Sequence, residues 1–395
     1  MHHGPGSGSS GIARRCVRGI GTGVFAGLLA IAPVLYFAAP HARTQASVLP
    51  PRCSWEMVTS GQYTKAWEKH LQESSPLTVQ GRGLASEALY LAGLLDSERV
   101  HMGRDGWLFL RYGLDYDPVW WLNDQDRFAA RRSRFLQALR QRAEAKDLRV
   151  LVLLVPDKDR IYPEKCWASG ELPPAKRGLY GLLLRELADH GLAVVDGERA
   201  MLAAKAQAPD QLLFHPRDSH WTLHGAMVFA AAVRARIAEL GWEELLGPEL
   251  AFRRAPIDAA FDPDLVGMLG FRAGGALQQS LRHRHQGEVP VPPEPGFGLA
   301  QPTAGVALAG TSYSANGLTL ALPLALSRRI DMRGVVEGRG PFPGLLQTLA
   351  AIESGQLRAR LVLWEWPERC VLEGGEFESG EKWGWLYPPD LGARR

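Results

Sequence analysis

Val306-Ala307-Leu308-Ala309-Gly310-Thr311-Ser312-Tyr313-Ser314 opens with a short apolar run that stops at a glycine, with a serine two positions further on. Such a run suits a buried parallel strand, and a serine just past its end has its hydroxyl on the turn. Upstream, Asp218-Ser219-His220-Trp221 sets an aspartate and a histidine two positions apart. A serine hydroxyl is a poor nucleophile unless a base lies within hydrogen-bond reach and a carboxylate orients that base. Ser312, His220 and Asp218 are therefore the candidate nucleophile, base and orienting acid. The backbone N–H of Ser312 is a natural oxyanion donor, and Gly340 in Gly338-Arg339-Gly340-Pro341 is a candidate second one. Each part alone has a plainer reading. A Gly-x-Ser after a strand is commonly structural, and Asp218 also suits the cap of a helix starting near Trp221.

Outward from this core, residues 149–155, 192–195 and 361–366 read as further strands. Residues 127–146, 175–190, 221–240 and 345–353 carry helical patterns, and residues 61–98 are mostly helical. Residues 101–110 form a turn and a short aromatic strand. Residues 287–302, rich in Pro and Gly, are expected to be loop. Strands alternating with helices indicate an α/β domain with a mainly parallel sheet flanked by helices. Ligands in such folds sit at the carboxyl ends of strands, where Ser312 and Pro156-Asp157-Lys158 both fall. His215, His220 and His224 with Asp218 imitate a metal cluster. The serine motif already accounts for His220, so neither metal nor cofactor is expected.

The chain has 395 residues, 46% of them hydrophobic, enough for a sizeable core. Lys+Arg 45 against Asp+Glu 42 leaves a net charge of +3, and no basic stripe interleaves with aromatics, so nucleic acid is not expected as a partner. Trp55, Trp67, Trp120 and Trp121, among 12 tryptophans, either pack or offer sugar-stacking faces. Residues 20–39 are apolar apart from small residues and Pro33, and Arg14, Arg15 and Arg18 precede them. That is the length and charge placement of an inner-membrane anchor. A cleaved signal peptide competes with it, but the run is long for one and no clean Ala-x-Ala follows; a buried N-terminal helix is the third reading. The expected organisation is a cytoplasmic tail (1–19), the anchor or uncleaved signal (20–39), a linker and N-terminal helical segment (40–99), and a catalytic domain (100–395). Cys53, Cys166 and Cys370 would then lie in an oxidising compartment, where three thiols cannot all pair with one another.

Five motifs in order carry a resemblance: Gly103-Arg104-Asp105-Gly106-Trp107-Leu108-Phe109; Val155-Pro156-Asp157-Lys158 with Tyr162-Pro163-Glu164; Asp218-Ser219-His220-Trp221-Thr222; Gly310-Thr311-Ser312-Tyr313-Ser314; and Trp364-Glu365-Trp366-Pro367-Glu368-Arg369. Together they resemble the alginate O-acetyltransferase family of the AlgJ and AlgX type over residues 100–369. The resemblance implies an SGNH-hydrolase-like domain, circularly permuted so that Asp-x-His precedes the serine, with Asp218, His220 and Ser312 as its triad. It also implies periplasmic O-acetylation of an exopolysaccharide such as alginate, within a synthesis and export complex at the inner membrane. A membrane-bound acyltransferase partner would supply the acetyl group. Members of the AlgX type carry a C-terminal carbohydrate-binding module. The 26 residues after Arg369 leave no room for one, which makes the chain more like the AlgJ type. On this reading Lys158 and Arg160 either bind a uronate carboxylate or form salt bridges. Tyr313 lines the acetyl pocket or packs, and Glu365 and Arg369 are expected to form a structural ion pair rather than to contact substrate. Two other functions share these residues: a polysaccharide acetylesterase, and a non-catalytic polymer-binding component of the complex.

Overall fold

The computed structural model describes residues 54–74, 76–114, 118–291, 305–335 and 340–371. The apolar run at 20–39 lies outside them, as do Cys16 and Cys53. Among the described residues no helix is long and apolar enough to cross a membrane.

The chain divides into two compact units, Met1–Leu95 with Gly270–Ser280, and Asp96–Leu269 with Leu281–Arg395. In the first, helices α1 (Gln62–Ser74) and α2 (Pro76–Leu91) follow a short helical turn at Trp55–Thr59. The distant segment belongs with them because Glu87 takes the Arg272 side chain at 2.7 to 3.1 Å and the Arg272 N–H at 3.0 Å. Tyr90 meets Phe271 edge-on at 5.2 Å. A Cβ on Gly83 would lie 2.6 Å from the Arg272 Cγ, so only glycine lets that segment approach.

The second unit is built on a five-stranded sheet in the order β4-β3-β9-β7-β8. Its strands are β3 (Arg149–Val155), β4 (Ala193–Asp196), β7 (Val306–Gly310), β8 (Ile330–Val335) and β9 (Leu361–Pro367), all parallel. β7 and β9 are buried along their whole length and β3 everywhere but Arg149, which is why they read as near-continuous apolar runs, interrupted in β9 by the buried Glu365. Alternate residues feed two cores. Leu151, Leu153, Leu308, Leu361 and Leu363 face helix α6 (Leu223–Glu239) through Phe229 and Val233. Val150, Val152, Val362, Trp364 and Trp366 face α3 (Pro118–Ala145) through Leu136 and Leu139, and α8 (Phe342–Glu353) through Leu345 and Leu349. Each fully buried aliphatic side chain here contributes roughly 1.5–3 kcal/mol. Helices α4 (Leu179–Asp189), α5 (Gly197–Gln207) and α7 (Thr319–Leu326) complete the layers. Cys166 sits in the first core and Cys370 in the second, on opposite faces of the sheet, so these two thiols do not pair with each other.

Two antiparallel pairs lie outside this sheet: β1 (Val100–Met102) with β2 (Leu108–Leu110), and β5 (Arg253–Phe261) with β6 (His283–Val291). The second corrects the expectation of loop at 287–302, since residues 287–291 are strand; residues 292–302 lie outside the described residues. Gly287 and Pro290 look like breakers, but both strands of a two-stranded ribbon are edge strands, where proline is tolerated at positions whose N–H would face away from the partner.

Buried charge knits the carboxyl edge of β3. Lys176 has no exposed surface and donates to Asp157 (3.0 Å), Asp159 (2.6 Å) and the Gly113 carbonyl (2.7 Å). Removing the cation strands two buried carboxylates. We expect Lys176→Met to lower unfolding free energy by about 3–5 kcal/mol, read from the urea midpoint. A change within measurement error would show that the acids find other partners.

Candidate active site

Residues 213–222 fold back on themselves. Phe214 bridges Trp221, the Thr222 N–H donates to the Leu213 carbonyl at 2.9 Å, and the His215 N–H to the His220 carbonyl at 3.2 Å. The cap of α6 is Thr222, whose hydroxyl accepts from the Gly225 N–H at 3.0 Å. Asp218 is thus released from the capping role its position also suits. One of its oxygens accepts the His220 Nδ1–H at 2.7 Å and the His220 backbone N–H at 2.9 Å, and the other accepts the Asp264 N–H at 2.8 Å. Burial pushes the Asp218 carboxyl up. The His220 and Asp264 bonds outweigh that and hold it well below the usual carboxylate range. The opposite ring nitrogen of His220, Nε2, is buried and has no hydrogen-bond partner.

Ser312 stands on the turn after β7, half-buried, at the start of a helical segment that widens over Ser314–Leu318 before α7. A buried carboxylate shapes this turn. Glu365, on β9, accepts the Thr311 N–H (2.6 Å), the Thr311 hydroxyl (3.0 Å), the Ser314 N–H (3.2 Å) and the Ser314 hydroxyl (2.9 Å). Burial pushes the Glu365 carboxyl up, and these bonds oppose it. The Tyr313 N–H donates to the Thr311 hydroxyl at 3.3 Å. Among the described residues of the turn from Thr311 to Ser314, the Ser312 N–H alone is left unengaged. Gly310 must lack a side chain, because a Cβ would lie 2.2 Å from the Ser314 Oγ and 2.6 Å from Glu365.

Tyr313 joins the two stretches. Fully buried, it donates its hydroxyl to the Ser219 carbonyl at 3.0 Å and meets the His220 ring edge-on at 5.3 Å. It is a packing residue and holds the serine turn against the Asp-x-His loop. The Ser312 hydroxyl itself does not reach Nε2. Arg369 lies over the Tyr313 ring at 4.6 Å, while Glu365 serves the turn, so among the described residues no ion pair joins Glu365 to Arg369. Gly340 takes φ +69° and follows β8, the neighbour of β7, in the chain.

Lys158 and Arg160 do not present themselves to a ligand. Both are buried. The Lys158 ammonium donates to the carbonyls of Leu108 (2.7 Å), Pro216 (2.9 Å) and Asp218 (3.0 Å), between the rings of Trp107 and Phe109. Arg160 spends its donors on Glu368, Glu198 and the Lys176 carbonyl. Of the two roles the sequence offers, Arg160 takes the salt bridge, to Glu368 and Glu198, while Lys158 takes neither and holds three backbone carbonyls.

Nothing in the sequence marks Asp264, yet both its oxygens engage Ser219, from the N–H at 2.7 Å and from the hydroxyl at 2.5 Å. It stands 45 positions beyond Ser219, a separation no local pattern reveals. The ligating atoms of Asp218, His220 and Asp264 gather within 4.8 Å, a spacing their own hydrogen bonds explain. His215 packs instead against Phe261 and His283. Among the candidate stacking rings, Trp55 is 81% exposed and Trp67 packs edge-on against Tyr63 and His70; the side chains of Trp120 and Trp121 lie outside the described residues.

An α/β sheet that holds a serine turn and an Asp–His loop together at its carboxyl edge has the architecture of an SGNH-hydrolase-like protein. Residues 100–368, more than half of the chain, match the family model described as "SGNH hydrolase-like domain, acetyltransferase AlgX", and the chain belongs to that family. It is 29% identical over 341 residues to the probable alginate O-acetylase AlgJ of Pseudomonas syringae pv. tomato, covering 82% of this chain and 83% of that one. It is 27% identical over 324 residues to the protein of the same name from Azotobacter vinelandii, 80% of each being covered. The fold is shared with the O-acetyltransferase domain of Pseudomonas putida AlgJ, at a TM-score of 0.60 and 23% identity, over 73% of this chain and 98% of that one. Pseudomonas aeruginosa AlgX superposes at a TM-score of 0.51, with 18% identity, over 70% and 67%.

Burial draws the Lys158 pKa down from 10.5 to about 7, against the attraction of Asp218 and Asp264. Between those values the unfolded chain holds a proton that the folded protein has released, so the stability due to this residue rises with pH through the window. The slope should reach up to about 1.4 kcal/mol per pH unit. Urea unfolding from pH 6.5 to pH 9.5 should show this rise in the wild type and a flatter profile in Lys158→Met. Equal slopes would count against it.

Proposed function

We propose that this chain is a polysaccharide O-acetyltransferase that works through an acetyl-serine at Ser312, with an exopolysaccharide such as alginate as acceptor. The observation that carries the reading is the asymmetry of His220. Its Nδ1 is tied to Asp218, and its Nε2 is buried without a partner beside the turn that bears Ser312. Rotation of the Ser312 side chain toward Nε2 completes the pair, in keeping with catalytic hydrogen bonds that tighten only when substrate is bound.

In the first half-reaction the Ser312 Oγ attacks the carbonyl of an acetyl donor as its proton passes to Nε2. Asp218 holds the ring in the tautomer that accepts there and stabilises the imidazolium. The oxyanion meets the Ser312 N–H, with Gly340 as the candidate second donor. Collapse expels the donor's leaving group, which takes the proton from His220. In the second half-reaction His220 removes the proton of a sugar hydroxyl, that oxygen attacks the ester, and the bond to Ser312 breaks as its Oγ takes the proton back from His220.

The names of the relatives support alginate as the first polymer to test. On this reading residues 20–39 anchor the chain in the inner membrane, its catalytic unit faces the periplasm, and a membrane-bound acyltransferase delivers the acetyl group. Family membership together with the apolar run supports that placement.

With an activated acetyl ester, the wild type should gain the mass of one acetyl group on Ser312 and pass it to oligouronate. Ser312→Ala should keep its melting temperature and lose at least about 10³-fold in rate. Full activity in that variant would overturn the triad. Acetate release indifferent to added polymer would favour an esterase, and polymer binding with no acyl-enzyme would favour a scaffold role.

A further inference from the structure

We infer that Asp264 is a positioning residue for this reaction, one that clamps the Asp218-Ser219-His220 turn from outside and sets a second negative charge beside the imidazole. The inference rests on the Ser312–His220–Asp218 reading and extends it.

The geometry is reciprocal. The Asp264 backbone N–H donates to Asp218 at 2.8 Å, and the Asp264 carboxylate receives the Ser219 N–H at 2.7 Å and the Ser219 hydroxyl at 2.5 Å. The residue between Asp218 and His220 is therefore gripped by the residue that also grips Asp218. The remaining oxygen of Asp218 is fixed, so its carboxylate cannot rotate away from Nδ1. Burial and the neighbouring Asp218 charge push the Asp264 carboxyl up, while His220 and the two Ser219 bonds oppose them; the ionised form is the one in which both oxygens accept from Ser219. One of them lies 3.8 Å from the His220 Nδ1. Two carboxylates thus share the positive charge that His220 acquires when Ser312 gives up its proton.

The other charged and titratable groups facing this turn differ in place or sign. Lys158 lies beneath the turn and is held by the Asp218 carbonyl. The Tyr313 ring and the Arg369 guanidinium stacked on it form the opposite wall. His283, half-buried, feels the charges of Arg217, Asp218 and Lys158. Among the described residues around His220, only Asp218 and Asp264 bring negative charge within 4 Å of its ring.

The test is a pH–rate profile on the whole protein, with active sites titrated by the acetyl burst so that misfolded molecules do not count. Asp264→Asn keeps the backbone donor and one acceptor oxygen and removes the charge. We expect kcat to fall about tenfold at an unchanged KM, and the acid limb to move down by about one pH unit, the scale set by a charge at this range. Asp264→Glu, which retains the charge, should keep the acid limb near its wild-type position. Ser219→Ala should lower kcat with less movement of the limb. Ser312→Ala and Asp218→Asn serve as controls: activity retained in both would bring down the triad itself. If both controls are inactive while Asp264→Asn has the wild-type rate and acid limb, the inference on Asp264 fails and the triad stands. It fails equally if Asp264→Asn loses rate with no movement of the limb, for that is the mark of a merely structural residue.

Discussion

Glu365 is a carboxylate with no exposed surface, and the position of the serine depends on it. Water cannot solvate it, so the N–H and O–H groups of Thr311 and Ser314 must. Each buried polar group left without a partner costs about 1–3 kcal/mol, so turn and carboxylate hold each other in place. Glu365 and Thr311 are 54 positions apart in sequence, on strands that meet only because β9 enters between β3 and β7. The serine turn therefore has no fixed shape until the last strand of the sheet is seated. The glycine before it answers to the same constraint, because a Cβ at Gly310 would occupy the space where carboxylate and hydroxyl meet.

A second layer of buried charge fixes the other half of the site. Lys158 gathers three carbonyls from two separate stretches, one of them belonging to Asp218. An exposed lysine makes few lasting bonds. This one has lost its water, and each N–H must point at a carbonyl oxygen. Next to it, Arg160 grips Glu368, whose carboxylate accepts the Asp157 N–H, and Lys176 grips Asp157 and Asp159. Removing one partner from such a network exposes the rest to an uncompensated charge, so its value lies in specifying one arrangement of the strand ends.

The sequence showed what local patterning can show. The near-continuous apolar runs at 149–155, 306–309 and 361–366 coincide with the three central strands because burial on both faces leaves few polar positions, Glu365 being the one fully buried exception. Strand β8, with Asp331 and Arg333 in Ile330–Val335, and ribbon strands β5 and β6 were not legible, since their outward residues are polar and break any apolar run. Asp218, His220 and Ser312 stood out because their spacing is chemical rather than conformational. Asp264 and the role of Glu365 did not. Each acts through a contact that exists only after folding, and a lone acid in sequence says nothing about which backbone it will meet. Lys158 and Arg160 stayed undecided between ligand and salt bridge for a related reason, for a cation at a strand end has the same spelling whether it greets a ligand or, like Arg160, pairs with acids.

In the proposed mechanism nothing in the acid–base machinery distinguishes a sugar hydroxyl from water, since either would give its proton to His220 and attack the same ester. The choice between transfer and hydrolysis must therefore be made by what is held near Ser312. A well-oriented neighbouring group attains effective concentrations of about 10⁵–10⁸ M, far above that of any solvent, so modest but well-aimed binding of a polymer hydroxyl suffices to outrun water. That places the determinants of transfer in the surface around the half-buried serine, not in the histidine or its carboxylates. A protein with these same three side chains and a poorer grip on its acceptor would be an esterase.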